Sequence, residues 1–140
     1  MKKSLIALLV TLLGLSSSYA KPAWENDPIE SVVGIHLLTE YGSQHRHLGN
    51  NLNASHVLSE LRKLPWTKQF MQFVVVTKPG VSMEVGGSSN GIDGLSAVYR
   101  NRHDAVEAVT KVAPASVKEM EYILRSFLNG DGKWKALFTF

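Results

Sequence analysis

The chain has 140 residues, of which 44% are hydrophobic, and it contains no cysteine. This length and composition fit one folded domain and exclude collagen-like, repetitive and disordered proteins. The lack of cysteine excludes disulfides, thiolate metal sites and cysteine nucleophiles. The formal net charge is +3, and because lysine and arginine form no cluster, the charge pattern does not indicate nucleic-acid binding.

The N-terminus is typical of a secretory signal peptide. Two lysines precede an apolar run over residues 5–15, which is shorter than the roughly 20 residues that cross a bilayer. Ser18-Tyr19-Ala20 matches the small-x-small pattern of signal peptidase sites, so cleavage is predicted after Ala20. Residues 21–140 would then be a single mature domain in the periplasm of a Gram-negative bacterium, with no stable membrane insertion. An uncleaved anchor would export the domain as well.

The first part of the mature chain predicts a strand, a loop and a helix. Residues 32–39 alternate between two faces, as a strand does, whereas residues 41–53 are polar and favour a loop. Asn53 can cap a helix that begins at Ala54, and Pro65 stops it.

A hairpin is predicted next. Residues 70–77 are apolar on both faces and rich in β-branched side chains, which indicates a central strand. Residues 78–80 turn the chain, and residues 81–85 alternate as a half-exposed strand. Four glycines in residues 86–94 predict an exposed loop. A strand over residues 95–99 follows it.

The C-terminal part predicts a strand, a helix and a final strand. Residues 104–112 fit both strand alternation and a helical stripe, and we favour the strand. Ser116 and Glu119 form the capping-box pattern of a helix that Gly130 can end. Residues 133–140 alternate and predict the last strand.

Four further side chains are assigned structural roles. Trp66 and Trp134 are predicted to pack in the core or at its edge. Glu121 and Arg125 have the i, i+4 spacing of an ion pair on the helix surface.

These elements together predict an α+β domain, with a mostly antiparallel sheet and two main helices packed on one face. The other face of the sheet would be partly exposed beside the glycine-rich loop. An exposed sheet face next to a polar loop is a natural protein-binding surface.

The sequence does not indicate catalysis. Residues 87–91 read G-x-S-x-G, but a nucleophile at Ser89 needs a strand-to-helix turn, and a strand is predicted to follow. Glu84 and Asp93 could meet as paired carboxylates, although nothing in the sequence requires it. We therefore predict a protein that is not an enzyme and uses no cofactor. A minor periplasmic hydrolase using Ser89 or these carboxylates is a third hypothesis.

Histidines form a second candidate group. His45 and His47 lie on one side of an extended segment, and His36 and His56 flank them in sequence. No H-E-x-x-H motif is present and Arg46 would repel a divalent cation, so no metal site is predicted. The alternative hypothesis for the whole protein is nevertheless a small periplasmic metal- or ligand-binding module that uses His45 and His47.

Four segments within residues 68–140 resemble a known family: Phe70-Met71-Gln72-Phe73, Ser82-Met83-Glu84-Val85, Ala108-Val109-Thr110-Lys111-Val112-Ala113-Pro114, and Phe127-Leu128-Asn129-Gly130-Asp131-Gly132-Lys133-Trp134. They resemble the small immunity proteins of bacterial polymorphic-toxin and contact-dependent secretion systems. The resemblance implies a non-enzymatic α+β protein that neutralises a cognate toxin by binding it. At the level of single residues, the resemblance covers Glu84, at a strand position where the family often has an acid, and Trp134 near the end of the chain.

The predicted signal peptide is a departure from what the resemblance implies, because some toxins neutralised by this family are nucleic-acid deaminases that act in the cytoplasm. An exported relative implies a toxin that acts in the periplasm, for example on peptidoglycan or membrane lipid.

The leading hypothesis is therefore an exported immunity or inhibitor protein that occludes the active site of a cognate secreted toxin or effector enzyme. Polar loop residues would reach the catalytic cleft of the toxin, and side chains of the flanking strands would form a rim. No nucleic-acid partner is expected, and self-association is left open. The predicted partner-binding residues are Ser88, Ser89, Asn90 and Asp93 in the loop and Glu84, Tyr99, Arg100 and Arg102 in the rim.

Overall fold

The computed structural model describes residues 21–92 and 94–140, so the predicted signal peptide and Asp93 lie outside the described residues. The helices are α1, Ala54–Arg62, and α2, Val117–Asn129. The strands are β1, Gly34–Thr39; β2, Gln44–Gly49; β3, Met71–Lys78; β4, Val81–Gly87; β5, Leu95–Asn101; β6, Val106–Thr110; and β7, Phe138–Thr139. In the part of the chain that the structure describes, no helix is long and apolar enough to span a membrane.

The strands form one antiparallel sheet in the order β2-β1-β3-β4-β5-β6-β7. The apolar stripes of α1 and α2 meet the inward side chains of the sheet in one buried core. Phe73, Val75, Met83 and Val85 form its centre and are fully buried. The structure thus confirms the α+β prediction of an antiparallel sheet with two helices.

The helix ends follow the predicted chemistry. The side chain of Asn53 accepts two backbone N–H hydrogen bonds in the first turn of α1. Ser116 Oγ accepts from the N–H of Glu119, whose carboxylate accepts from the N–H of Ala115 just before α2. Gly130 ends α2 in the left-handed region at φ 69°, where glycine carries no steric penalty. These three predicted helix ends are confirmed.

Two predictions about strands are wrong. The predicted loop over residues 41–53 contains β2, whose exposed side chains lack the apolar alternation that marks a buried strand. The predicted strand over residues 133–140 is reduced to Phe138–Thr139. Lys133–Leu137 instead forms a 3-10 turn, because this path buries Trp134 against the core.

Two local predictions also need correction. Glu121 pairs at 2.8 Å with Arg62 of the neighbouring α1, whereas its predicted partner was Arg125. The predicted loop over residues 86–94 begins only after Gly87, which belongs to β4. A Cβ atom on Gly87 would lie 2.1 Å from the carbonyl oxygen of Gly94, so glycine permits this close approach of the strand ends.

We call the sheet face away from the helices the open face. The N-terminal segment, residues 22–33, crosses part of it. In this segment the carboxylate of Glu30 lies 2.6 Å from Nε of Arg102, just beyond β5. The carbonyl oxygen of Val32 lies 2.8 Å from Nε2 of His36 in β1. The chain therefore brings its N-terminal segment and the middle strands into contact on the open face.

Candidate functional site

The predicted binding loop is hydrogen-bonded to the segment that follows α1. The carbonyl oxygen of Trp66 accepts from the N–H of Ser89 at 2.9 Å and from the hydroxyls of Ser88 and Ser89 at 3.2 and 3.3 Å. The side-chain amide of Asn90 donates to the carbonyl oxygen of Thr67 at 3.2 Å. These polar groups, predicted to contact a partner, thus also attach residues 88–90 to the segment after α1.

Apolar side chains are exposed beside this loop. Ile92 is 100% exposed, and Tyr41 is 83% exposed although its ring stacks on Phe70 with centroids 4.9 Å apart. They surround a depression of about 340 Å³. We call its lining residues the tip surface: Tyr41, Thr67, Lys68, Gln69, Phe70, Ser88, Asn90, Gly91, Ile92 and Gly94.

The backbone at Tyr41 is strained. Glu40 and Tyr41 have φ values of 52° and 55°, in the left-handed region, which costs a non-glycine residue roughly 1–2 kcal/mol. Such strain persists where the surroundings enforce it, and it is concentrated at functional positions. The strained conformation holds an aromatic ring in solvent at the edge of the tip surface.

A second feature is a cleft of about 200 Å³ on the open face, between the middle strands and the N-terminal segment. We call it the polar cleft. Its lining residues are Asp27, Ile29, Glu30, Leu38, Gln72, Val74, Ser82, Glu84, Arg100, Arg102 and Glu107.

Arg100 connects the acidic side chains of the polar cleft. Its Nη1 lies 2.8 Å from Glu84 Oε1, and its Nε lies 2.9 Å from Glu107 Oε2. Gln72 Nε2 donates to the other oxygen of Glu84 at 3.0 Å. These residues come from β3, β4, β5 and β6, so the antiparallel register aligns them across four neighbouring strands.

The environment keeps both arginines of the cleft charged. Burial lowers the pKa of Arg100, but hydrogen bonding to Glu84 and the charges of Glu84 and Glu107 together raise it by more. The net shift of this pKa is therefore upward. The hydrogen bond from Arg102 to Glu30 raises the pKa of Arg102. Both guanidiniums are therefore fixed positive charges that are already paired with carboxylates.

Ser82 lies on the wall of the polar cleft and is only 1% exposed. Among the described residues, its hydroxyl has no hydrogen-bond partner. A buried polar group without a partner costs about 1–3 kcal/mol. This hydroxyl is therefore available to a bound group.

The structure separates the predicted binding residues into three places. Glu84, Arg100 and Arg102 line the polar cleft. Tyr99 points to the helix face and packs on Trp134, with ring centroids 4.7 Å apart, so the prediction of one common rim is wrong. Side chains alternate along a strand, which places neighbouring Tyr99 and Arg100 on opposite faces.

The loop is also distant from the arginines. It joins Gly87 to Leu95, whereas Arg100 pairs with Ser82 near the other end of the strands. Five residues of strand at about 3.3 Å each put roughly 17 Å between Ser82 and the loop. Asp93, the remaining predicted residue, lies outside the described residues.

Several site residues were not predicted. Gln72 is a polar position inside the apolar run of β3, and Ser82 lies with Glu84 on the polar side of the alternating strand β4. Both positions indicate a polar site on the open face. Tyr41 and Ile92 had no such signal, because an exposed apolar residue in a polar stretch resembles an ordinary loop residue.

The histidines form a stacked group on β1 and β2. Nδ1 of His36 lies 2.9 Å from Nε2 of His45, and the His36 ring stacks on those of His45 and His47 at 5.1 and 4.8 Å. Within residues 21–92 and 94–140, no group of three or more His, Asp or Glu side chains is placed to hold a metal ion. The geometry therefore adds no support to the metal-binding alternative at His45 and His47.

Comparison of the chain with protein-family models, with curated proteins and with solved structures gives no match.

Proposed function

We propose that this protein is an exported immunity or inhibitor protein that binds a cognate secreted toxin or effector enzyme in the periplasm and blocks its active site. The observation that carries the proposal is the tip surface, where Tyr41 and Ile92 are exposed beside Ser88 and Asn90, which are hydrogen-bonded to the segment after α1. Binding hot spots combine large side chains with the exclusion of water around them. The tip surface offers two such side chains around a depression.

The hydrogen bonds of residues 88–90 favour binding, because fewer groups have to be ordered when the complex forms. Immobilising a flexible side chain costs about 0.5–1.5 kcal/mol. The contacts of Ser88, Ser89 and Asn90 with the carbonyls of Trp66 and Thr67 already exist in the free protein. Residues 88–90 therefore need less ordering when the loop enters a catalytic cleft.

Export is supported by the signal-peptide pattern of residues 1–20. A protein exported in this way meets toxins that act in the periplasm, so enzymes acting on peptidoglycan or membrane lipid are the expected targets.

Replacing both exposed side chains of the tip surface tests the proposal. Tyr41→Ala combined with Ile92→Ala should weaken toxin binding by about 30-fold or more, because one hot spot contributes about 2 kcal/mol or more. The protein is isolated from the periplasm of its native host, and a stoichiometric partner is identified by mass spectrometry. The enzymatic activity of that partner is then titrated with wild-type and variant protein.

Val112→Ala is the matched control, because Val112 is 81% exposed and lies outside the tip surface. It should inhibit as the wild type does. Wild-type affinity in the double variant would exclude the tip surface as the anchor. A partner whose activity is unaffected by wild-type protein would exclude the inhibitor function.

A further inference from the structure

The polar cleft presents more acceptors than donors. Ser82 contributes a buried hydroxyl with no partner among the described residues. The Gln72 amide nitrogen is used on Glu84, which leaves its amide oxygen as an acceptor. Each carboxylate oxygen has further lone pairs beyond those used by the arginines. A bound group with several N–H donors would satisfy this arrangement.

The charges of the cleft lead to the same conclusion. Four carboxylates line it, from Asp27, Glu30, Glu84 and Glu107, against the two guanidiniums of Arg100 and Arg102. Both guanidiniums are already paired, Arg100 with two carboxylates and Arg102 with one. An anion would meet an excess of negative charge here, whereas a cation would be attracted.

We propose that the polar cleft binds an organic cation, a primary ammonium or guanidinium group, with Ser82 and Gln72 as acceptors and the excess of carboxylates around the cleft as the counter-charge. The cleft volume of about 200 Å³ equals several water molecules at about 30 Å³ each, enough for such a group on a short aliphatic stem. This site is separate from the tip surface and does not depend on the proposed inhibitor function.

The test is a titration of the ¹⁵N-labelled protein followed by NMR. The cationic probes are putrescine, N-acetyl-lysine amide and N-acetyl-arginine amide, and the anionic control is N-acetyl-glutamate amide. Cationic probes should produce saturable shifts of the Gln72 side-chain amide and the Ser82 backbone amide, with affinities in the millimolar range or tighter. The anionic control should produce none.

Two serine variants complete the test. Ser82→Ala should lower affinity for the preferred cation by about tenfold, roughly the value of one hydrogen bond to a charged group. Ser96→Ala is the matched control, since Ser96 is an exposed serine of β5 outside the cleft, and it should bind as the wild type does.

The probes distinguish two sources of the cation. Tighter binding of putrescine assigns the cleft to a free amine, and tighter binding of the amino-acid amides assigns it to a basic side chain of a protein. Absence of saturable shifts with all three cations would overturn the proposal, as would equal affinity in the Ser82→Ala variant. Neither result bears on toxin binding at the tip surface, which is measured with Tyr41 and Ile92.

Discussion

His36 is a fully buried imidazole on the open face. Its Nε2 faces the carbonyl oxygen of Val32 and therefore carries the hydrogen, so Nδ1 accepts from Nε2–H of His45. Protonation would place a second hydrogen between the two rings. Burial lowers the pKa of His36; the Val32 carbonyl opposes this shift, and the nearby His47 and His45 add to it while Asp27 opposes it.

This shift predicts a loss of stability in mild acid. The folded state disfavours protonated His36, so the contribution of neutral His36 to the free energy of unfolding is complete above the ordinary pKa of 6.5. It declines as the pH falls below 6.5 towards the lowered folded pKa, since the unfolded chain then binds the extra proton, at no more than about 1.4 kcal/mol per pH unit. Urea unfolding at several pH values from about 7.5 to about 5 measures this loss in the free energy of unfolding.

His36→Gln provides the comparison for this prediction, because its amide can still donate to Val32. The variant should lose less stability than the wild type over the same pH interval. His56→Gln, a half-buried histidine at the start of α1, is the matched control and should keep the wild-type dependence. An identical pH dependence in all three proteins would show that His36 does not cause it.

At the scale of elements, the antiparallel sheet positions the ion pairs of the polar cleft. Side chains of Glu84 and Arg100 are 13% and 21% exposed, whereas that of Glu107 is 54% exposed. The inner pair is shielded from solvent and is more sensitive to loss of one partner than the outer pair.

Glu84→Gln should therefore destabilise the fold by about 1–3 kcal/mol, because a partly buried Arg100 loses its main counter-charge. Glu107→Gln, the matched change at the exposed end, should cost less than about 1 kcal/mol. Chemical denaturation of both variants at pH 7 compares them. Equal losses would mean that burial does not distinguish the two pairs.

Elements with a local signal were predictable. Asn53, Ser116 and Gly130 mark helix ends through contacts within a few residues, and the apolar run of β3 indicates a central strand in any context. The edge strand β2 and the turn at Lys133–Leu137 were not predictable in this way. The side chains of β2 are mostly polar and exposed, so the strand lacks apolar alternation even though its partner β1 is adjacent in sequence. The path of Lys133–Leu137 depends on the burial of Trp134 against the core.

The candidate sites also depend on contacts between residues that are far apart in sequence. Glu84, Arg100 and Arg102 were predicted as functional residues, and they do come together. Glu30, the partner of Arg102, lies 72 residues away from it in sequence, a separation over which residue spacing predicts no contact. The sheet face on which Tyr99 lies was predictable, because it follows from strand alternation once β5 is assigned.

For the whole molecule, the N-terminal segment closes one side of the polar cleft. It is attached through the two hydrogen bonds between Arg102 and Glu30, at 2.6 and 3.2 Å, through the backbone bond from Gly80 N–H to the Glu30 carbonyl, and through the bond from His36 Nε2 to the Val32 carbonyl. These contacts lie outside the core formed by the helices and the sheet. The segment can therefore loosen without unfolding the domain.

Arg102→Ala should release this segment selectively. Hydrogen exchange of the backbone amides in residues 29–32 should accelerate, whereas amides of β3 and β4 should keep their protection. Arg125→Ala, an exposed arginine on α2, is the control and should change neither. Unchanged exchange in residues 29–32 would show that Arg102 does not hold the segment, and faster exchange throughout the sheet would show that the segment is part of the cooperative unit.

The two edge strands of the sheet differ in length, and this difference affects whether copies of this protein associate edge to edge at high concentration. β7 is only two residues long, whereas β2 has six residues and forms the opposite edge. A long free edge is a template for pairing with another chain, and natural proteins protect such edges with charge. Arg46 lies in the middle of β2 between His45 and His47, so two copies that approached edge to edge would repel each other. Removing that single positive charge would leave the β2 edge open to pairing with β2 of a second copy, and this pairing would end at a dimer because β7 is too short to continue the sheet.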